Sequence, residues 1–409
     1  MPTVKTILYT TYMLVSLPAR LVAILLYYIP QSTRPHPKWT YHQAVGTKVF
    51  SLWWRYATAV RFYTRKTLLP GSEGDRFVVI QPASPPAPNA SIYRDILLCD
   101  DAIHPLPVGA VWYPAAPPSI SPLPRVVIHF HGGAYVLGGA RQMESGWGPT
   151  VLSSALSCAV LQPQYRLSVA ENASFPAALQ DAITAYAYVL RTLHVPHEQV
   201  ILSGESAGGN LVLAMLRYLG GGSSSAAGQN PTGRSPFLPL PRAALLWSPW
   251  VDLTRAAEKK ASSHPRRQVD YLFAELVAWG RERFIPPGWE DEHGWFQSQS
   301  QAQTRAQGAS QTHTPTATPT APEDKFAYLS PLQNEFYTPT PVFLQTGTAE
   351  ILYEDHVHFA RGMKDQGTKV EVVEIANAPH DTFGAGLIVG FAKEAQDAAR
   401  KAAAFVNAD

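Results

Sequence analysis

Short apolar runs punctuate the chain from residue 77 onward. Residues 77–80, 110–113, 126–130, 159–162, 200–203, 243–247, 342–345 and 370–375 each read as a strand. Several are unbroken Val/Ile/Leu stretches rather than alternating ones. That is the pattern of strands buried on both faces of a parallel sheet. Helical periodicity fills the later gaps, at 175–194, 207–219, 355–365 and 392–406. Strands that alternate with helices predict an α/β class: a mostly parallel central sheet flanked by helices.

Other stretches break this rhythm. Residues 7–29 are 23 apolar positions interrupted by Pro18 and Arg20, where about 20 suffice to cross a bilayer. The run is longer than the apolar part of a secretory signal and ends in Tyr27, Tyr28, Ile29 and Pro30 without a small-residue cleavage site. It predicts an uncleaved anchor that spans or embeds deeply; a helix lying in the interface and a buried core helix stay open. Residues 38–65 are aromatic and basic, and read as one or two amphipathic helices that pack over the core or face membrane or substrate. Residues 220–236 read as a flexible loop. Residues 297–322, rich in Gln, Ser, Thr, Ala and Pro, read as disordered. They close an insertion whose helical part, 268–284, is expected to cap the sheet's carboxyl end. The expected organisation is therefore an N-terminal membrane anchor at 1–35, then N-terminal cap helices and lead-in strands at 36–109. The α/β core takes 110–253 and 326–409, and the cap insertion 254–325.

Composition narrows the classes. With 409 residues, 46% hydrophobic, 16% charged and a net charge of +2, the chain offers no electrostatic footprint for nucleic acid. Cys99 and Cys158 exclude a disulfide scaffold and a cysteine-type zinc module; two buried free thiols are expected rather than a bridge. The acceptor triplets at Asn89 and Asn172 matter only if the body faces a secretory lumen, and the sequence does not decide whether either is glycosylated.

The chemistry sits at strand ends. Gly204-Glu205-Ser206-Ala207-Gly208 follows an apolar strand and opens an amphipathic helix, the context of a nucleophile elbow. Side chains at 204 or 208 would clash in so tight a turn, and Ser206 would stand at a helix N-terminus that favours developing negative charge. After the strand at 126–130 comes His131-Gly132-Gly133-Ala134. The backbone N–H groups of Gly133 and Ala134, or of Gly132, with that of Ala207, would form an oxyanion hole. His131 is expected to anchor this loop, and His129 to be a core or sheet-edge residue. A base and an acid should follow the nucleophile in the order acid, then His. His380, just past the strand at 370–375, is the expected base. Glu350 lies nearest the end of the strand at 342–345 and is the expected acid, ahead of Asp355 and Asp252. Asp381 points wrongly, and His356 and His358 are expected at the surface. Glu354, Asp355, His356 and His358 match no common zinc spacing, so neither a metal nor a cofactor is expected.

Together these residues resemble the hormone-sensitive-lipase-like branch of the α/β-hydrolases. The likeness runs through His131–Ala134, Tyr165-Arg166-Leu167, Phe175–Leu179 with Asp181, Gly204–Asn210, Ser248-Pro249-Trp250 with Asp252, Ser330-Pro331-Leu332, 347–350 and Pro379-His380. It covers about residue 110 to the C-terminus and implies the α/β-hydrolase fold with a Ser206–Glu350–His380 triad. Ala134 replaces the third glycine of the commoner motif, and Glu350 stands where many members carry Asp. Both variants are similar to those of fungal steryl acetyl hydrolases, and an N-terminal anchor is similar to that of arylacetamide deacetylases of the endoplasmic reticulum. The resemblance implies a single-pass membrane esterase that removes short, acetyl-like groups from a hydrophobic alcohol, in lipid or secondary metabolism. Amide deacylation, acyl transfer and a non-catalytic ligand receptor of the same fold are the alternatives. Oligomeric state, membrane side and the natural ester are not readable.

Overall fold

The computed structural model describes residues 4–63, 65–84, 91–117, 123–221, 238–289 and 325–408. All eight expected strands form: β1 (Phe77–Ile80), β2 (Val108–Tyr113), β3 (Val126–Phe130), β4 (Ala159–Pro163), β5 (Val200–Glu205), β6 (Ala243–Trp247), β7 (Val342–Gly347) and β8 (Val370–Ile375). They make one sheet in the order β1-β2-β4-β3-β5-β6-β7-β8. β2 runs antiparallel to β1 and β4, and the remaining pairs are parallel. Every position of β2, β3, β5, β6 and β7 is buried, because helices cover both faces. Edge strand β8 is different: Val373 and Ile375 are buried while Glu371 and Glu374 face out, charges that discourage pairing with another chain.

The helices are α1 (Val4–Tyr27), α2 (Tyr41–Ala59), α3 (Gln142–Ser145), α4 (Trp147–Leu156), α5 (Ala177–Ala187), α6 (Ala207–Leu219), α7 (Arg255–Ser263), α8 (Ala274–Phe284), α9 (Tyr353–Asp365), α10 (Thr382–Val389) and α11 (Ala392–Asn407). The helix expected at 175–194 is α5 followed by a π turn at Tyr188–Thr192. The pattern missed α10, whose sequence TFGAGLIV is apolar on nearly every side and gives no amphipathic period. The connection from β3 goes to β4 on one side, and β5 then returns to the other side of β3. The strand order therefore reverses there, and a crevice opens beyond the carboxyl ends.

α1 is long and apolar enough to cross a membrane, and only 6% of its apolar window is buried. The core-helix alternative is thereby corrected: Val4, Leu8, Leu14, Val15 and Leu26 all point outward. α2 starts with a capping box of Thr40 and Gln43. It holds α1 through a Tyr9–Tyr56 stack and a bond from Tyr41 Oη to Leu25 O at 2.9 Å. The thiols of Cys99 and Cys158 are unbridged but half-buried rather than buried, and partial burial pushes each up to about 11. The loop expected at 220–236, apart from its first two residues, the disorder expected at 297–322, and Asn89 lie outside the described residues.

Candidate active site

Four loops at the carboxyl ends of β3, β5, β7 and β8 converge on one cleft. At the end of β5 the chain turns abruptly into α6, and Ser206 takes φ 48° and ψ −112°. A non-glycine residue held there is strained. The neighbours show why the turn needs glycine. A Cβ on Gly204 would lie 2.2 Å from Gly208 O, and one on Gly208 would lie 2.1 Å from Phe130 O. The turn sets Ser206 Oγ at the start of α6.

Ser206 Oγ lies 3.0 Å from His380 Nε2, and His380 Nδ1 lies 2.7 Å from Glu350 Oε2. Glu350 is fully buried, and its other oxygen accepts from Gly347 N (2.6 Å), Thr346 Oγ1 (2.7 Å) and Ser248 Oγ (3.0 Å). Burial disfavours its charge, but His356 and His380 outweigh burial and hold the carboxyl far below the usual range. The other acids are engaged elsewhere. Asp355 pairs with Lys260 at 2.7 Å. Asp252 accepts from Thr254 N at 2.9 Å. Asp381 caps α10 by accepting from Gly384 N at 3.0 Å.

Among the described residues, no group accepts from the N–H of Gly133, Ala134 or Ala207, and the first two line the cleft with Ser206. Gly132 is a correction: its N–H is directed at Glu205 Oε2, 3.4 Å away, so it is not free for an oxyanion. The loop is fixed from both sides. His131 donates from Nδ1 to Gly132 O at 2.7 Å and stacks on Tyr165, whose hydroxyl donates to His131 O at 2.7 Å. Burial lowers His131 to about 4, so the ring is neutral. Below the loop, Trp247 Nε1 donates to Ser203 Oγ (2.9 Å), Ser203 Oγ lies 3.0 Å from His129 Nδ1, and His129 Nε2 donates to Glu205 Oε1 (3.0 Å). His129 is fully buried. Asp381 is raised well above the usual range by burial and by Glu205.

His356 is the second correction. It is fully buried, not at the surface. The loop after β6 folds over α9 and presents Pro249 O to Nε2 at 2.7 Å, while Thr346 Oγ1 lies 2.8 Å from Nδ1. His358, two residues on, is exposed. Asp270 is a residue sequence reasoning passed over. It lies between α7 and α8, and its carboxylate accepts from His380 N (3.0 Å), Leu272 N (3.3 Å) and Ile351 N (2.8 Å). It therefore ties the segment before α8 to the loops that carry His380 and Glu350. Burial pushes Asp270 up to about 6. Set between Val269 and the apolar run Tyr271-Leu272-Phe273, far from any strand end, it gave no signal.

The cleft holds about 120 Å³ and is walled by Phe50 and Trp54 of α2, Tyr271, Leu272 and Leu276 of the insertion, and Ile388 of α10. α8 presses on the loop after β3 so closely that a Cβ on Gly280 would lie 2.5 Å from Ala134 O.

Residues 127–319 match a family model described as an α/β hydrolase fold. The chain is 28% identical over 255 residues to an acetyl-hydrolase of Streptomyces hygroscopicus, covering 61% of this chain and 65% of that one. It is 32% identical over 108 residues to neutral cholesterol ester hydrolase 1 of Mus musculus, covering 25% and 26%. These matches span less than two thirds of the relatives' own length. A hormone-sensitive lipase from a metagenome library superimposes with a TM-score of 0.51 at 22% identity, covering 74% of this chain and 82% of that one. The fold and the family model agree on an α/β hydrolase, and the proteins to which the chain is similar are named as acetyl-hydrolases, ester hydrolases and lipases.

Proposed function

We propose that the protein is a membrane-associated serine carboxylic ester hydrolase that removes short, acetyl-like groups from a hydrophobic alcohol. The observation that carries this reading is the unbroken line of contacts Ser206 Oγ–His380–Glu350, at 3.0 and 2.7 Å, beside unclaimed peptide N–H groups. Ser206 attacks the ester carbonyl and passes its proton to His380 Nε2. Glu350 accepts from His380 Nδ1–H, fixes the tautomer and stabilises the imidazolium that forms. The N–H groups of Ala207, Gly133 and Ala134 receive the oxyanion, each typically worth ~2.7–4 kcal/mol in the transition state. His380 then returns the proton to the leaving alcohol, and water releases the acyl group by the same steps in reverse.

The cleft supports the substrate class. Phe50, Trp54, Tyr271 and Leu276 offer an apolar bed for the alcohol, and a volume of about 120 Å³ favours a small acyl group. In this reading residues 36–109 and 254–325 cap a core made of 110–253 and 326–409. The complete Ser–His–Glu line argues against a receptor that has lost its chemistry. The exposed apolar face of α1 supports a single-pass anchor, and the endoplasmic reticulum enters this proposal only through the resemblance to arylacetamide deacetylases. Purified protein should hydrolyse p-nitrophenyl acetate or butyrate faster than long-chain esters, and should remain with membranes after alkaline carbonate washing. Equal rates on long acyl chains would overturn the acyl preference. Release by carbonate would overturn the anchor. Release of product only when a second alcohol is added would shift the reading to acyl transfer.

A further inference from the structure

His356 has no part in the steps above, yet its hydrogen-bond partners favour a ring that donates from both nitrogens. Pro249 O can only accept, so Nε2 of His356 carries a proton. Thr346 has a single hydroxyl proton and donates it to Glu350 Oε1, at 2.7 Å. The 2.8 Å contact between Thr346 Oγ1 and Nδ1 must then be a donation from His356. Both ring nitrogens bear protons, so the ring is an imidazolium with no exposed surface, and its Nδ1 lies 3.6 Å from Glu350 Oε1.

We propose that His356 is a positioning residue: a buried positive charge that, directly and through Thr346, locks the Glu350 carboxylate in its ionised, His380-facing orientation. This rests on the reading of Ser206, His380 and Glu350 given above and deepens it. A buried charge is tolerated only when paired and hydrogen-bonded, and here each charge supplies the other's partner. The Glu350 carboxylate faces two imidazoles, one on each oxygen. The His380 side exchanges a proton in each half-reaction, while the His356 side stays fixed. The remaining charged groups nearby are otherwise engaged. Asp355, the preceding residue on α9, pairs with Lys260. Glu354 pairs with Arg266 and faces His264. Asp252, on the loop that supplies Pro249, accepts from Thr254 N. Asp270 approaches from the insertion and is bonded to peptide N–H groups.

A fixed cation behind Glu350 also makes His380 harder to protonate, so its removal should move the acid limb of the pH–rate profile. The test compares kcat/KM on p-nitrophenyl butyrate from pH 5 to 9 for wild type, His356→Gln, His356→Lys and Thr346→Val. His356→Gln should lower kcat about tenfold with KM little changed. It should also move the acid limb up by about one pH unit, the size expected for losing one buried charge at this range. His356→Lys should bring the limb back toward wild type. Thr346→Val, which cuts the relay and leaves the cation, should lower kcat with a smaller shift. If His356→Gln proves unstable to thermal unfolding, the Lys and Val variants carry the comparison. A uniform loss of kcat in all three with the acid limb unmoved would overturn the proposal and leave His356 a packing residue. His380→Ala separates the two claims. If it is inactive while the limb is unmoved in the His356 variants, only the positioning role falls. If it stays active, the base assignment falls with it.

Discussion

His129 and His356 are both fully buried, one bonded to Glu205 beside Ser206 and the other 3.6 Å from Glu350, and their networks end differently. On the oxyanion side, Trp247, Ser203, His129 and Glu205 form a chain in which the Ser203 hydroxyl can accept from or donate to His129, so the bonds are met without requiring a charged ring. On the acid side, Pro249 and Thr346 each need a proton from His356, and the count closes only with a charged ring. The acids beside them respond in opposite ways. Glu350 is held ionised by two imidazoles. Glu205 has Asp381 for a neighbour, and burial together with Glu205 pushes the Asp381 carboxyl well above the usual range. The acid side is thus arranged to hold opposite charges in place. The other side holds the loop after β3 on the Glu205 carboxylate, which accepts from His129 and from Gly132 N. Which state a buried histidine adopts is decided by whether its partners can only accept or can also donate.

The largest expected effect breaks the line that both sides serve. Ser206→Ala and His380→Ala should each lower kcat by roughly 10⁴-fold or more, measured with p-nitrophenyl butyrate; turnover within tenfold of wild type would remove the residue from the chemistry. Glu350→Gln, which keeps the shape and removes the charge, should lower kcat by roughly 10²–10⁴-fold by releasing the His380 tautomer. A change below threefold would mean another acid orients His380.

Glu205→Gln probes the other side and should cost less, roughly tenfold in kcat, because it turns an N–H toward either His129 or Gly132. It also carries a pH signature. Asp381 in the wild type keeps its proton in the fold after the unfolded chain has lost it. Stability therefore falls as pH rises above about 4, the ordinary aspartate range, toward the raised value. Removing the Glu205 charge should shrink that fall, read as the change in Tm between pH 4 and 8. The smallest effect is expected from Asp270→Asn, which keeps one acceptor and loses the other. We expect kcat to drop a few-fold through a looser His380 loop. Asp270 is also raised, to about 6. Its ionisation therefore lowers stability as pH climbs from about 4 to 6, and the Asn variant should be flatter across that window.

Much of this was legible in the sequence, for identifiable reasons. Ser206 was visible because two glycines two positions away reveal a turn too tight for side chains. His380 and Glu350 were visible because a parallel sheet delivers its chemistry just past the strand ends. The eight strands were visible because burial on both faces leaves an unbroken apolar run. His356 was not. It follows Glu354 and Asp355 and precedes an exposed His358, so its helix reads as solvated. Its burial comes from Pro249, 107 residues away in the chain. Asp270 was hidden for the same reason: a carboxylate that caps peptide N–H groups of two distant loops leaves no local period. The Gly132 N–H was misread because a glycine-rich loop shows that backbone can approach, not which amides stay free. Helix α10 was missed because its apolar residues have no polar face to set them off.

The central claim is that Ser206 is acylated during turnover, and a trapped adduct tests it most directly. Wild-type protein treated with a fluorophosphonate should gain one adduct, mapped by peptide mass spectrometry to Ser206, in parallel with loss of esterase activity. His380→Ala should label far more slowly. An adduct on another residue, or full activity after stoichiometric labelling of Ser206, would contradict the account.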